Sequence, residues 1–168
     1  MISLLKPIDD KIVLLGMSCV GKTKMAESLL SHKYYCFDAL FPWHVLETIG
    51  GSIKRSLLDI KPSETKFVLD GWHNSDLRCK LTPKESVPYL IYADYSFILS
   101  NYRVPISGPQ AFFNMYQIWY KAEFAKNTRF IKNTGSFSET SKEEFIETIN
   151  TQSKKIDKIW NKDKWTWN

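Results

Sequence analysis

Ile12-Val13-Leu14-Leu15 is a short, wholly apolar run, and it leads directly into Gly16-Met17-Ser18-Cys19-Val20-Gly21-Lys22-Thr23. Four consecutive apolar residues fit a parallel strand buried on both faces. The stretch from Lys22 to Leu30 then reads as a helix, so the chain must pass from strand to helix through a loop framed by two glycines. That order of elements requires a βα unit and excludes all-helical and all-β folds.

The spacing G-x-x-x-x-G-K-[ST] is that of a loop whose backbone N–H groups wrap a polyphosphate. Glycine is needed where a Cβ would collide with the turn or with the phosphate. Gly16, Ser18, Cys19, Val20, Gly21, Lys22 and Thr23 are therefore candidate binding residues for a nucleoside triphosphate such as ATP. Lys22 would reach the β- and γ-phosphates, the Thr23 hydroxyl would ligate Mg²⁺, and the helix N-terminus would add partial positive charge.

A chain of 168 residues is long enough for one domain with a full core, and no repeat or linker divides it, so residues 1–168 are expected to form a single domain. Lys6, Asp9 and Asp10 interrupt the N-terminal stretch, and no apolar run reaches the length of a bilayer span. Neither a leader nor a membrane segment is expected. Cys19, Cys36 and Cys79 lie too far apart for a zinc-type spacing, which favours a reducing, cytoplasmic setting. Lys and Arg number 23 against 18 acids, a formal charge of +5 that suits anionic ligands and leaves nucleic acid open as a partner. Arg55, Arg78, Arg103 and Arg129 are the four side chains able to form bidentate phosphate forks.

Further strands are expected at Tyr34–Phe37, Lys66–Asp70, Tyr89–Tyr92 and Arg129–Lys132. Helices are expected over 40–58, with a bend at Gly50-Gly51, from Asp94 to Tyr102, over 110–126, and over about 141–160. Thr140 and Ser141, each followed three residues later by Glu, offer capping-box starts for the last helix. Strands alternating with helices predict a three-layer α/β/α fold around a mainly parallel five-stranded sheet. Asp70 ends a strand at the edge of the sheet where the phosphate loop lies, which makes it a candidate Mg²⁺ ligand as well as a simple turn residue beside Gly71.

Phe67-Val68-Leu69-Asp70-Gly71-Trp72-His73-Asn74 resembles the nucleoside-monophosphate-kinase segment in which an apolar strand precedes D-G-F-P-R. Together with the 16–23 loop, this is a resemblance to the P-loop small-kinase superfamily. It implies the corresponding fold, ATP with Mg²⁺, and transfer of the γ-phosphate. His73-Asn74 stands where that pattern has Pro-Arg, so the phosphate-binding arginine of monophosphate acceptors is missing. The resemblance also implies an acceptor-side carboxylate near the end of the second strand, at Asp38, where the alternative is a helix N-cap. It implies a clamp at Arg103 in a short lid around 103–110, where the alternative is a charge offsetting a helix dipole.

Trp43, Trp72, His73 and Arg78 are the remaining acceptor-side candidates, each with a plain packing or surface role as its alternative. Overall character resembles compact phage kinases, some of which phosphorylate DNA. The leading expectation is therefore a nucleic-acid or nucleoside hydroxyl, in host cytoplasm if the chain is phage-encoded. A nucleotide or small-metabolite kinase is the alternative, and a non-catalytic nucleotide- and nucleic-acid-binding module the second. A monomer or homodimer fits either. A GTPase reading fails because Lys164 follows Asn161-Lys162-Asp163, where the guanine motif needs an acid.

Overall fold

The structure is a computed structural model describing residues 2–16, 20–36, 65–70, 85–101 and 127–162. The expected helices over 40–58 and 110–126 and the lid around 103–110 lie outside the described residues. Strands β1 (Ile2–Ser3), β2 (Lys11–Leu15), β3 (Lys33–Cys36), β4 (Phe67–Asp70), β5 (Val87–Tyr92), β6 (Arg129–Asn133) and β7 (Phe137–Thr140) join one sheet. Their spatial order is β1-β7-β6-β5-β2-β4-β3. Helices α1 (Lys22–Ser28), α2 (Tyr95–Asn101) and α3 (Lys142–Lys162) follow β2, β5 and β7.

The sheet is mostly parallel, as expected, but it has seven strands rather than five. The additions are β1 and β7. Asn133 and Phe137 face each other across a three-residue turn, and Gly135 supplies the left-handed residue at φ 103°. The Gly135 N–H donates to Asn133 Oδ1 at 3.0 Å, an Asx-type lock on that turn. β7 is consequently antiparallel to β6, and β1 adds to its far side in parallel. A two-residue strand has no periodicity to read, so β1 is visible only once its partner is known.

Ile12, Val13, Leu14 and Leu15 are all buried. Successive strand residues point to opposite faces, so both faces of β2 are covered, as a central parallel strand requires. β5 carries Pro88 despite lying between β2 and β6. Pairing with β6 starts only at Tyr89, so the proline is flanked on one side by β2 alone.

The α3 helix starts after Ser141, whose Oγ accepts from the Glu144 N–H at 3.1 Å; Ser141, not Thr140, is the cap. Phe145 and Ile149, one turn apart, are buried. Phe145 stacks on Phe130 at 4.8 Å and meets Tyr92 edge-on at 5.0 Å, which fixes this helix against β5 and β6. Burying such a ring contributes about 2–3 kcal/mol. Among the described residues, no helix is long and apolar enough to cross a membrane.

Candidate functional site

The β2 strand ends one residue before Gly16, which has φ 147°. A Cβ there would stand 2.7 Å from the Ile91 carbonyl oxygen and 2.8 Å from Val20 Cγ2, so only glycine lets the chain pass β5 at this point. Gly21 takes the left-handed conformation (φ 92°, ψ 27°) as the residue that opens α1. Its carbonyl accepts the Met25 N–H at 3.0 Å, the first bond of the helix. Met25 and Ala26 then anchor α1 in the core, which fixes Lys22 and Thr23 at the end of the sheet.

Asp70 reaches the same place from a different strand. Leu14 of β2 pairs with Asp70 of β4, putting the carboxylate two residues from Gly16 in register. Lys22 and Asp70 are both more than nine-tenths buried, and Lys22 Nζ lies 3.9 Å from Asp70 Oδ1. Thr23 Oγ1 donates to Asp70 Oδ2 over a long 3.5 Å. The Tyr34 hydroxyl donates to the same oxygen at 2.9 Å, by distance the firmer of the two. Burial pushes the Tyr34 phenol above its ordinary range, and its bond to the Asp70 carboxylate adds to the shift.

This donor set fits a hard divalent cation. Thr23 and Asp70 offer oxygen only, and no group of three or more His, Cys, Asp or Glu suited to a metal occurs among the described residues. Mg²⁺ is characteristically held by one or two protein oxygens, with substrate phosphates and waters completing its shell.

A second polar cluster lies at the opposite end of the strands. Arg129, the first residue of β6, donates to Glu139 through Nη2 (2.6 Å) and Nε (3.2 Å). Through Nη1 it donates to Asp9 Oδ2 at 2.7 Å, the Pro7 carbonyl at 2.7 Å and the Tyr89 hydroxyl at 2.8 Å. Burial works against the guanidinium charge, but Glu139 and Asp9 outweigh it and hold the group above its ordinary value. Arg129 is thus committed to carboxylates and carbonyls; it ties the 6–9 segment to β6 and β7. An open cavity of about 770 Å³ beside it includes Lys6, Ser86 and Glu139 in its lining. Ligands of open α/β sheets bind at the carboxyl ends of the strands, which is the Gly16 end.

Among the expected site residues, Gly16, Val20, Gly21, Lys22, Thr23 and Asp70 converge at one end of the sheet. Ser18, Cys19, Asp38, Trp43, Trp72, His73, Arg78 and Arg103 lie outside the described residues. Two polar residues at this end escape sequence reading. Tyr34 reads only as a strand residue, because nothing local says that β3 will pair with β4. Asn133 lies one residue past the expected strand Arg129–Lys132, yet its Nδ2 donates to the Val20 carbonyl at 2.9 Å.

No protein-family model and no curated protein matches the chain. Among solved structures, it is similar to a gluconokinase from Sinorhizobium meliloti at 13% identity and TM-score 0.54, covering 94% of this chain and 99% of that one. A shikimate kinase from Acinetobacter baumannii in complex with shikimate aligns at 13% identity and TM-score 0.49, over 92% of this chain and 94% of that one. Likeness to the gluconokinase over nearly the full length of both chains shows that this chain shares that protein's fold, with Gly16, Gly21, Lys22 and Thr23 at the carboxyl end of β2.

Proposed function

We propose that the chain is an ATP-dependent phosphotransferase that moves the γ-phosphate to a hydroxyl of a small molecule. The observation that carries this reading is the convergence of Lys22, Thr23 and Asp70 beside a glycine-framed loop. An ammonium, a hydroxyl and a carboxylate at such a loop are what Mg²⁺-nucleotide binding demands. The gluconokinase, whose name denotes a small hydroxylated acceptor, favours a metabolite over nucleic acid. The nucleic-acid acceptor rests on sequence features, namely the basic balance, the aromatic content, the missing arginine at His73-Asn74 and a general resemblance to phage kinases.

In this reading Thr23 Oγ1 and the Asp70 carboxylate would hold Mg²⁺, which would neutralise phosphate charge when bound. Lys22 exchanges its contact with Asp70 for the β- and γ-phosphate oxygens. Asp38, two residues beyond the end of β3, orients the acceptor hydroxyl and takes its proton late in transfer. Arg103 stabilises charge on the transferring group. Positioning and electrostatics then supply most of the rate enhancement.

The test offers γ-labelled ATP and Mg²⁺ with sugar acids, other small polyols, nucleosides, nucleoside monophosphates and oligonucleotides as separate acceptors. Label on a small polyhydroxylated acceptor supports the proposal. Label on oligonucleotide alone moves the assignment to a polynucleotide kinase, and ATP binding without transfer to any acceptor moves it to a binding module.

A further inference from the structure

Among the described residues three partners surround the Asp70 carboxylate, and two of them have work elsewhere once nucleotide binds. Lys22 turns to the phosphates and Thr23 to the metal, so the contacts at 3.9 and 3.5 Å are both given up or remade. Tyr34 has neither task. It pairs with Val68 in the β3–β4 ladder, two residues short of Asp70, and its ring spans that distance to deliver the hydroxyl to Oδ2 at 2.9 Å. Two strand residues cover roughly 6.6 Å, a length that a tyrosine side chain bridges. The contact leaves Oδ1 on the side of Lys22 Nζ, 3.9 Å away.

From this geometry we infer that Tyr34 is a positioning residue for the metal acid. Its hydroxyl fixes the Asp70 carboxylate through Oδ2, so that Oδ1 keeps its aim while Lys22 and Thr23 change partners. The inference rests on the kinase reading above, because it presumes that Asp70 serves a nucleotide-bound cation. It adds a residue from a neighbouring strand, acting on the metal through Asp70 and touching neither nucleotide nor acceptor.

Tyr34→Phe removes the hydroxyl and keeps the ring. Two bindings are measured on the full chain: an ATP analogue with chelator present, and Mn²⁺ by electron paramagnetic resonance with a non-hydrolysable ATP analogue. The Phe variant should bind metal-free nucleotide within about twofold of wild type and Mn²⁺ about tenfold more weakly, the scale of one hydrogen bond to a charged group. In an Asp70→Asn background the same change should add little, since its route to the metal is already lost.

Unchanged Mn²⁺ binding in Tyr34→Phe overturns the role of Tyr34 and leaves the kinase reading intact. An equal loss in the Asp70→Asn background overturns it too, as does a Phe variant too unstable to bind metal-free nucleotide, which assigns the hydroxyl to the fold. Absence of metal-dependent nucleotide binding in the wild type overturns both readings, and the wild-type arm alone reveals that outcome.

Discussion

Asn133 Nδ2 donates to the Val20 carbonyl at 2.9 Å, so the end of β6 holds the phosphate loop one residue before Gly21. The same side chain accepts the Gly135 N–H, which links the loop to the β6–β7 turn. Asn133 is almost fully buried, and its amide satisfies both ends of this link.

Asn133→Leu should therefore lower stability by about 1–3 kcal/mol, the cost of leaving buried polar groups unpaired. For a chain of this size that is a fall in Tm of roughly 2–4 °C per kcal/mol. Calorimetry checks the stability. Nucleotide titration of the folded variant should show weaker ATP binding, because the carbonyl that shapes the loop has lost its anchor.

Gly16→Ala meets a different obstacle. Its Cβ would be forced to within 2.7 Å of a backbone carbonyl that belongs to β5 and cannot swing away. The variant should lose ATP binding and melt several degrees lower, as measured by nucleotide titration and thermal denaturation. Gly135→Ala serves as the comparison: its Cβ meets nothing within 4 Å, so only the left-handed backbone penalty applies, about 1 kcal/mol.

Arg129→Met should separate architecture from chemistry. Removing the cation leaves the Glu139 and Asp9 carboxylates, among the described residues, with only the Leu5 N–H and the Tyr89 hydroxyl as donors, a loss of about 3 kcal/mol, since the Glu139 side chain is largely buried and Asp9 is partly exposed. The Tm should drop, while kcat of the protein that remains folded stays near wild type, because the cluster sits at the opposite end of the strands from Lys22. A selective fall in kcat at unchanged Tm would contradict this placement.

Burial pushes the Tyr92 phenol up to about 12 from an ordinary value near 10, against the opposing hydrogen bond with Thr140. The folded protein thus favours the neutral phenol. This contribution is fully present below pH about 10 and is lost as pH rises towards 12. Urea unfolding at pH 9 and pH 11.5 should show a fall in stability that is smaller in Tyr92→Phe than in wild type.

Where the sequence spoke for itself, it did so through local chemistry. The buried run Ile12–Leu15, the loop glycines and the strand-ending Asp70 are each legible because strand period, glycine spacing and helix start act over a few residues. Arg129 is the opposite case. As one of four arginines it reads as a phosphate fork, yet its partners Asp9 and Glu139 come from segments 120 and 10 residues away. Tyr34 was hidden for the same reason, since only the β3–β4 pairing brings it to Asp70. β1 and β7 escaped because a two-residue strand and a four-residue return strand carry too little pattern to register.

The central proposal, phosphate transfer from a site built on Lys22, Thr23 and Asp70, is tested most directly by one comparison. Wild type and Lys22→Ala are incubated with γ-labelled ATP, Mg²⁺ and the acceptor panel, and label on the acceptor is counted. The expected result is Mg²⁺-dependent transfer to a small-molecule hydroxyl by wild type, reduced by about a hundredfold or more in Lys22→Ala. Equal transfer by the two proteins, or none by wild type to any acceptor, would contradict it.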